Sequence, residues 1–153
     1  MMKTILTYGT FDLFHVGHLH LLRRLRALGD RLVVGVSTDE FNVLKGKRTV
    51  IPYADRVEIV HALRCVDLVI PETCWEQKED DIRAHQVSIF GMGSDWTGRF
   101  DELKAHCEVV YLPRTEGVSS THLRETLKVL NGEHVRELKQ ALDLIASIVD
   151  KLD

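Results

Sequence analysis

Apolar residues in this chain fall into short, dense runs separated by stretches in which they recur every three or four positions. The dense runs read as strands: "KTILTY" (3–8), "RLVVGVS" (31–37), "VDLVI" (66–70), "VSIFGM" (87–92) and "EVVYL" (108–112). Between the first two, Leu21, Leu22, Leu25 and Leu28 keep helical spacing across 17–28, and Gly29 is expected to close that helix. Pro52 opens a second helix, through about Arg64; further helical stretches follow near 77–85 and 99–106, and another starts near Ser120. "TDEFNVLKGKRTV" (38–50) reads as a polar, basic loop, and Pro71 is expected to end the third strand.

Strand and helix in strict alternation predict an α/β fold: a doubly wound, parallel five-stranded sheet, Rossmann-like, with helices on both faces. Such sheets bind ligands beyond the C-terminal ends of their strands. The chemically unusual residues lie at those ends: 10–18, Lys45 and Lys47, 94–96, and 114–121. The last stretch is different. Val135, Leu138, Leu142, Ile145, Val149 and Leu152 alternate steps of three and four, as along a coiled-coil seam. Gly132 is read as separating this amphipathic extension (132–153) from the domain before it (1–131). Leu144 and Ile148 lie off the seam and widen the face, which favours packing on a globular surface or capping a dimer over a free coil.

Composition narrows the function. The 153 residues are 44% apolar and 28% charged, ordinary for one globular domain. A net charge of −3 argues against nucleic-acid or membrane-surface binding driven by bulk charge. No apolar run approaches a membrane span, and the N-terminus reads as a strand instead of a signal peptide. Cys65, Cys74 and Cys107 are odd in number and lack metal spacing, so packing roles and a cytoplasmic location are expected.

"GTFDLFHVGH" (9–18) carries two histidines, His15 and His18, where the first strand hands over to a helix. At i and i+3 they share a face, with Gly17 allowing close approach and the helix amides favouring an anion. A metal would need a third ligand, and Asp12 is the nearby carboxylate; paired helical zinc ligands are usually i, i+4. Phosphate binding is the better reading.

These residues spell the HxGH signature of the nucleotidyltransferase superfamily, and "VSST" (118–121) resembles its second signature. "LVVGVSTDEFN", "VIPETCWEQKEDDI" and "VVYLPRTEGVSST" resemble more narrowly the glycerol-3-phosphate cytidylyltransferase family, over roughly residues 1–128. The resemblance implies that CTP and sn-glycerol 3-phosphate give CDP-glycerol and pyrophosphate by direct attack on the α-phosphorus, for a teichoic-acid or capsule-type polymer. It implies that His15 and His18 hold the CTP phosphates, with Thr10 and Phe11 on the nucleotide and Asp95 and Trp96 bordering the base. Arg114, Thr115, Glu116, Gly117, Val118, Ser119, Ser120 and Thr121 answer the other side of the phosphates. Ser119 or Ser120 would otherwise be a plain helix cap, and Trp96 a plain packing residue. Lys45 and Lys47 are implied to bind phosphates of CTP or acceptor, and Lys78 the acceptor. His15, His18, Lys45 and Arg114 form the implied catalytic set. "GSDW" places Ser94 where the family has an acid. Arg56 and Arg64 are expected either as surface charges or as groups steering an anionic substrate. Asp12 either orients the site or helps hold a magnesium ion, which is expected to arrive with CTP, and a homodimer is the usual family state. Alternatives are the same transfer to phosphocholine, phosphoethanolamine or FMN, a catalytically silent nucleotide sensor, and a flavodoxin-like binding domain.

Overall fold

The computed structural model describes residues 1–114 and 120–152. The chain divides into two compact units, 1–118 and 119–153. The first is an α/β unit: β1 (Thr4–Gly9), α1 (Val16–Arg26), β2 (Arg31–Ser37), α2 (Asp39–Leu44), α3 (Tyr53–His61), β3 (Leu68–Glu72), α4 (Lys78–Ala84), β4 (Val87–Gly93) and β5 (Glu108–Leu112), with 3₁₀ turns at Ser94–Trp96 and Asp101–Ala105. The strands form one parallel sheet in the order β3-β2-β1-β4-β5. The order reverses at β1, so the crevice beyond the end of β1 is the expected ligand position.

Successive residues of each central strand serve opposite faces. Ile5, Val34 and Ile89 join Leu22, Leu25 and Val60 from α1 and α3 in one core. Their neighbours Leu6, Val33 and Phe90 join Ile82 of α4 and Phe100 and Leu103 in the other. Both cores are dry, with the central aliphatic residues 0% exposed. At ~25 cal/mol per Å² of apolar surface, each such side chain contributes about 1.5–3 kcal/mol toward holding the strand ends in place.

Three local expectations change. The stretch after β2 is not a loop at its start: Thr38 accepts from the Phe41 amide and caps α2, which buries Phe41 and Asn42. Its single apolar turn was too short to register as a periodic pattern. Pro71 does not end β3 but lies inside it, opposite Val36. Beta3 is an edge strand, where a missing N–H costs no ladder bond. Gly29 is not the cap of α1, which ends at Ala27; a Cβ at Gly29 would fall 2.2 Å from Ile5 Cδ1, so close packing is what requires glycine there.

The second unit is the helix α5, Ser120–Leu152. Gly132 does not interrupt it, so the expected separation at that residue is not a helix break. Glycine in a helix costs only about 1 kcal/mol, small against a helix of 33 residues.

Candidate active site

The loop after β1 is built under constraint. Phe11 and Leu13 take left-handed backbone conformations (φ 55° and 49°), uncommon for bulky residues. The turn at Phe11 folds its ring back over Gly9, where a Cβ would sit 2.7 Å from the ring. Asp12 is buried, and its carboxylate accepts from the amides of Leu13, Val50 (2.8 Å) and Ile51 (2.9 Å). These bonds staple the 45–52 segment to the first loop.

Arg56 is a correction. It is neither a surface charge nor a steering group but is fully buried. Its guanidinium donates to the carbonyls of Ile51 (2.9 Å), Thr10 (2.7 Å) and Ser37 (2.7 Å), and to Asp39 (2.8 Å). Arg64 lies beyond the end of α3 and is exposed.

The two histidines cap α1. His15, extended at the N-cap, accepts from the Gly17 amide at Nδ1 (3.0 Å); His18 Nδ1 accepts from the His15 amide (3.1 Å). The rings stack with centroids 4.0 Å apart, and Phe11 and Phe14 pack on His18. Because each Nδ1 is an acceptor, a neutral ring carries its proton on Nε2. Burial, and then the Arg114 charge, lower the His15 pKa below its ordinary value, so the ring is neutral at pH 7. His15 Nε2 is buried and has no hydrogen-bond partner among the described residues. A buried donor without a partner costs about 1–3 kcal/mol, which a ligand oxygen would recover. Asn42 Nδ2 is a second such donor, while Asn42 Oδ1 accepts from the Thr10 hydroxyl (3.1 Å).

Beyond β2 and β3 lies a charged cluster. Glu72, buried at the end of β3, holds Lys78 Nζ at 3.2 Å on one oxygen and Lys45 Nζ at 3.6 Å on the other. Ser37 donates to the same carboxylate at 2.5 Å and accepts from Lys45 at 3.0 Å. Both lysine side chains are under a tenth exposed. Lys45 lies over Phe41 and Trp75; Lys78 lies over Tyr8, Trp75 and Phe100. Burial lowers the Lys45 pKa, Glu72 opposes that, and Lys47 and Lys78 add to it. Two ammonium groups face one carboxylate, so the cluster carries a net positive charge in a partly dry setting, an arrangement that attracts a phosphate. Gln77 and Asp81 fix the loop that carries Trp75: Gln77 accepts from the Thr73 and Cys74 amides and donates to Pro71 O and Asp81, to which Tyr8 also donates.

At the ends of β4 and β5, Arg114 pairs with Asp95, both about half exposed. Trp96 packs on Phe100 and faces Trp75 at 6.1 Å. Lys47 is exposed in the turn at Gly46 (φ 72°). Thus Thr10, Phe11, His15 and His18 share the first loop and helix, Arg114 acts on His15, and Lys45 meets Lys78. Thr115, Glu116, Gly117, Val118 and Ser119 lie outside the described residues; Ser120 and Thr121 are described only as helical backbone. Glu72, Trp75 and Asn42 are site residues that the sequence does not mark, and the buried network of Arg56 is not visible in it either. A lone carboxylate or arginine near a strand end reads the same in sequence whether it faces water or another charge.

A family model described as cytidylyltransferase-like matches residues 6–126. The chain is 56% identical over 126 residues to the glycerol-3-phosphate cytidylyltransferase of Bacillus subtilis (strain 168), covering 82% of this chain and 98% of that one. It is 53% identical over 126 residues to that of Staphylococcus aureus (strain NCTC 8325 / PS 47), covering 82% and 96%. A lipopolysaccharide core biosynthesis protein from Thermoplasma volcanium shares the fold, with a TM-score of 0.66 at 24% identity over 76% of this chain and 100% of that one.

Proposed function

This chain belongs to the cytidylyltransferase-like family, and from that premise we propose that it transfers the cytidylyl group of CTP to sn-glycerol 3-phosphate, giving CDP-glycerol and pyrophosphate. The acceptor phosphate oxygen attacks the α-phosphorus, and the bond to the bridging oxygen breaks with its electrons on pyrophosphate. No covalent enzyme intermediate is needed, so the protein supplies alignment and charge stabilisation. The observation that carries this reading is the buried, partnerless Nε2–H of His15, held by the bond that Nδ1 makes to the start of α1. In the reading it donates to a phosphate oxygen as that oxygen gains charge, with His18 stacked behind it. Arg114 is released from Asp95 to fork onto the triphosphate. Thr10, Phe11, Asp95 and Trp96 border the nucleoside, and residues 115–121 are carried over as phosphate contacts from the family resemblance alone.

Lys45 and Lys78 take the acceptor phosphate, with Lys47 at the mouth. The aromatic faces beside them are already covered by ammonium groups. A choline or ethanolamine headgroup would add a third cation there, which favours the polyol phosphate. For magnesium, the described residues contain no cluster of three or more His, Cys, Asp or Glu groups, and Asp12 is committed to backbone amides. The ion is therefore read as entering on the CTP phosphates, largely with its own waters, where it shields their charge. No helix among the described residues is long and apolar enough to cross a membrane. A homodimer and a downstream glycerol-phosphate polymer complete the proposal.

The test is pyrophosphate release with magnesium and CTP, one acceptor at a time. Release with sn-glycerol 3-phosphate and not with phosphocholine, phosphoethanolamine or FMN is expected. Release with another acceptor alone would overturn the substrate, and CTP binding without release on any acceptor would overturn the reaction.

A further inference from the structure

Asn42 is a buried polar side chain that the chemistry above leaves without a task. It is 1% exposed, on the short helix α2. Its Oδ1 accepts from the Thr10 hydroxyl at 3.1 Å, and its Nδ2 has no hydrogen-bond partner among the described residues. Its backbone carbonyl accepts from the Lys47 amide at 2.8 Å, so one residue is tied both to the loop after β1 and to the lysine turn. Packing alone would be better served by leucine, which has nearly the same shape and leaves no buried donor unpaired.

The Thr10 hydroxyl has one proton, and Asn42 takes it. Thr10 is half-buried at the crevice beyond β1. The phosphate oxygens of CTP accept and do not donate, so they gain nothing from a hydroxyl whose proton points at Asn42. The two ends of a carboxamide are alike in size, and a half-turn about χ2 exchanges them within the same packing. Nδ2 then lies where Oδ1 was and donates to Thr10 Oγ1, and the hydroxyl proton is free to turn outward. One rotation removes two faults, an amide with nothing to donate to and a hydroxyl aimed away from the crevice. What is left unpaired is a carbonyl oxygen, which interiors tolerate better than an orphaned N–H.

We propose that Asn42 is the positioning residue for Thr10. On CTP binding its amide reverses, donates to Thr10 Oγ1 and turns the hydroxyl proton onto the α-phosphate, where the nucleoside that Thr10 borders joins the triphosphate. The role rests on the reading of CTP as the nucleotide bound beyond β1. Asn42 is too buried to touch the nucleotide and acts through Thr10.

The test is a double-mutant cycle on CTP affinity, measured by calorimetry on the full chain without acceptor. Thr10→Val removes a bond to a charged phosphate and is expected to weaken CTP binding roughly ten- to hundredfold. Asn42→Leu keeps the volume, removes the donor and is expected to weaken it about fivefold. The double variant is expected to bind no more weakly than Thr10→Val alone, because Asn42 then has nothing to position. Losses that multiply in the double variant would overturn the role, as would an unchanged affinity in Asn42→Leu. The reversal itself is read in the wild-type chain from the side-chain amide NMR signals of Asn42. They are assigned by elimination with Asn131→Gln, the other asparagine of the chain. On saturation with CTP one Asn42 amide proton is expected to move downfield, and not to do so in Thr10→Val. An unmoved signal, or the same shift in both chains, would overturn the reversal. A wild-type chain that binds no CTP would overturn the nucleotide reading together with this role; with CTP bound, the failures above overturn the role alone.

Discussion

Replacing Arg56 by methionine should unfold the site before it disturbs the chemistry. The side chain is fully buried and gives four hydrogen bonds, three of them to the carbonyls of Thr10, Ser37 and Ile51. Methionine fills much of the volume but donates nothing. Each carbonyl left without its donor costs about 1–3 kcal/mol. The fourth bond, to Asp39, counts for under ~1 kcal/mol, because that carboxylate is nearly half exposed and screened. Some carbonyls recover water, so the net loss is about 3–5 kcal/mol, in line with breaking a buried charge network. For a chain of this size that is a fall in Tm of roughly 6–20 °C, read by circular dichroism at 222 nm. KM for CTP should rise in the same variant at a temperature where it is still folded, because Thr10 O is a direct partner. Arg56→Lys keeps the charge but not the fork, and should recover less than half of the loss. A Tm within about 2 °C of wild type for Arg56→Met, or full recovery by lysine, would refute the reasoning.

Three further outcomes concern His15 and Glu72. His15→Ala should lower kcat by ~10²–10³ while costing only about 1 kcal/mol of cap stability. The folded pKa of His15 is lowered by burial and then by Arg114, so the neutral ring's contribution to stability is complete above 6.5 and is lost as pH falls from there through the depressed value. The difference in Tm between wild type and His15→Ala, followed against pH, should shrink on acidification; a constant difference would contradict it. Glu72→Gln removes the group that opposes the burial-driven lowering of the Lys45 pKa. The ammonium is then lost at lower pH, and the alkaline limb of kcat/KM for glycerol 3-phosphate should move acidward. An unmoved limb would mean that Lys45 does not face the acceptor.

The sheet was legible because each strand is a run buried on both faces, and burial leaves a compositional mark. The two histidines were legible for a different reason, since a tight strand-to-helix turn needs its glycines and caps at fixed offsets. Alpha2 was hidden by its length: one turn offers no period to count. Arg56 was hidden because burial of an arginine depends on carbonyls 5, 19 and 46 residues away in the chain, brought together only by the sheet. Lys45 and Lys78 were each visible, but Glu72, which holds them together, was not, since its partners come from different elements. Gly132 misled because one glycine costs too little to break a helix of 33 residues.

Pro71 has a consequence for how these molecules meet. It lies on the outer edge of β3, where it has no N–H to offer, and its carbonyl is already taken by the Gln77 side chain at 2.9 Å. A strand arriving from another molecule would find neither donor nor acceptor at that position of the border. Pairing along β3 is therefore interrupted at Pro71, and this rim resists the edge-to-edge stacking that leads to aggregates. The other border of the sheet, β5, has no proline within it, so any edge pairing between crowded copies is left to that side.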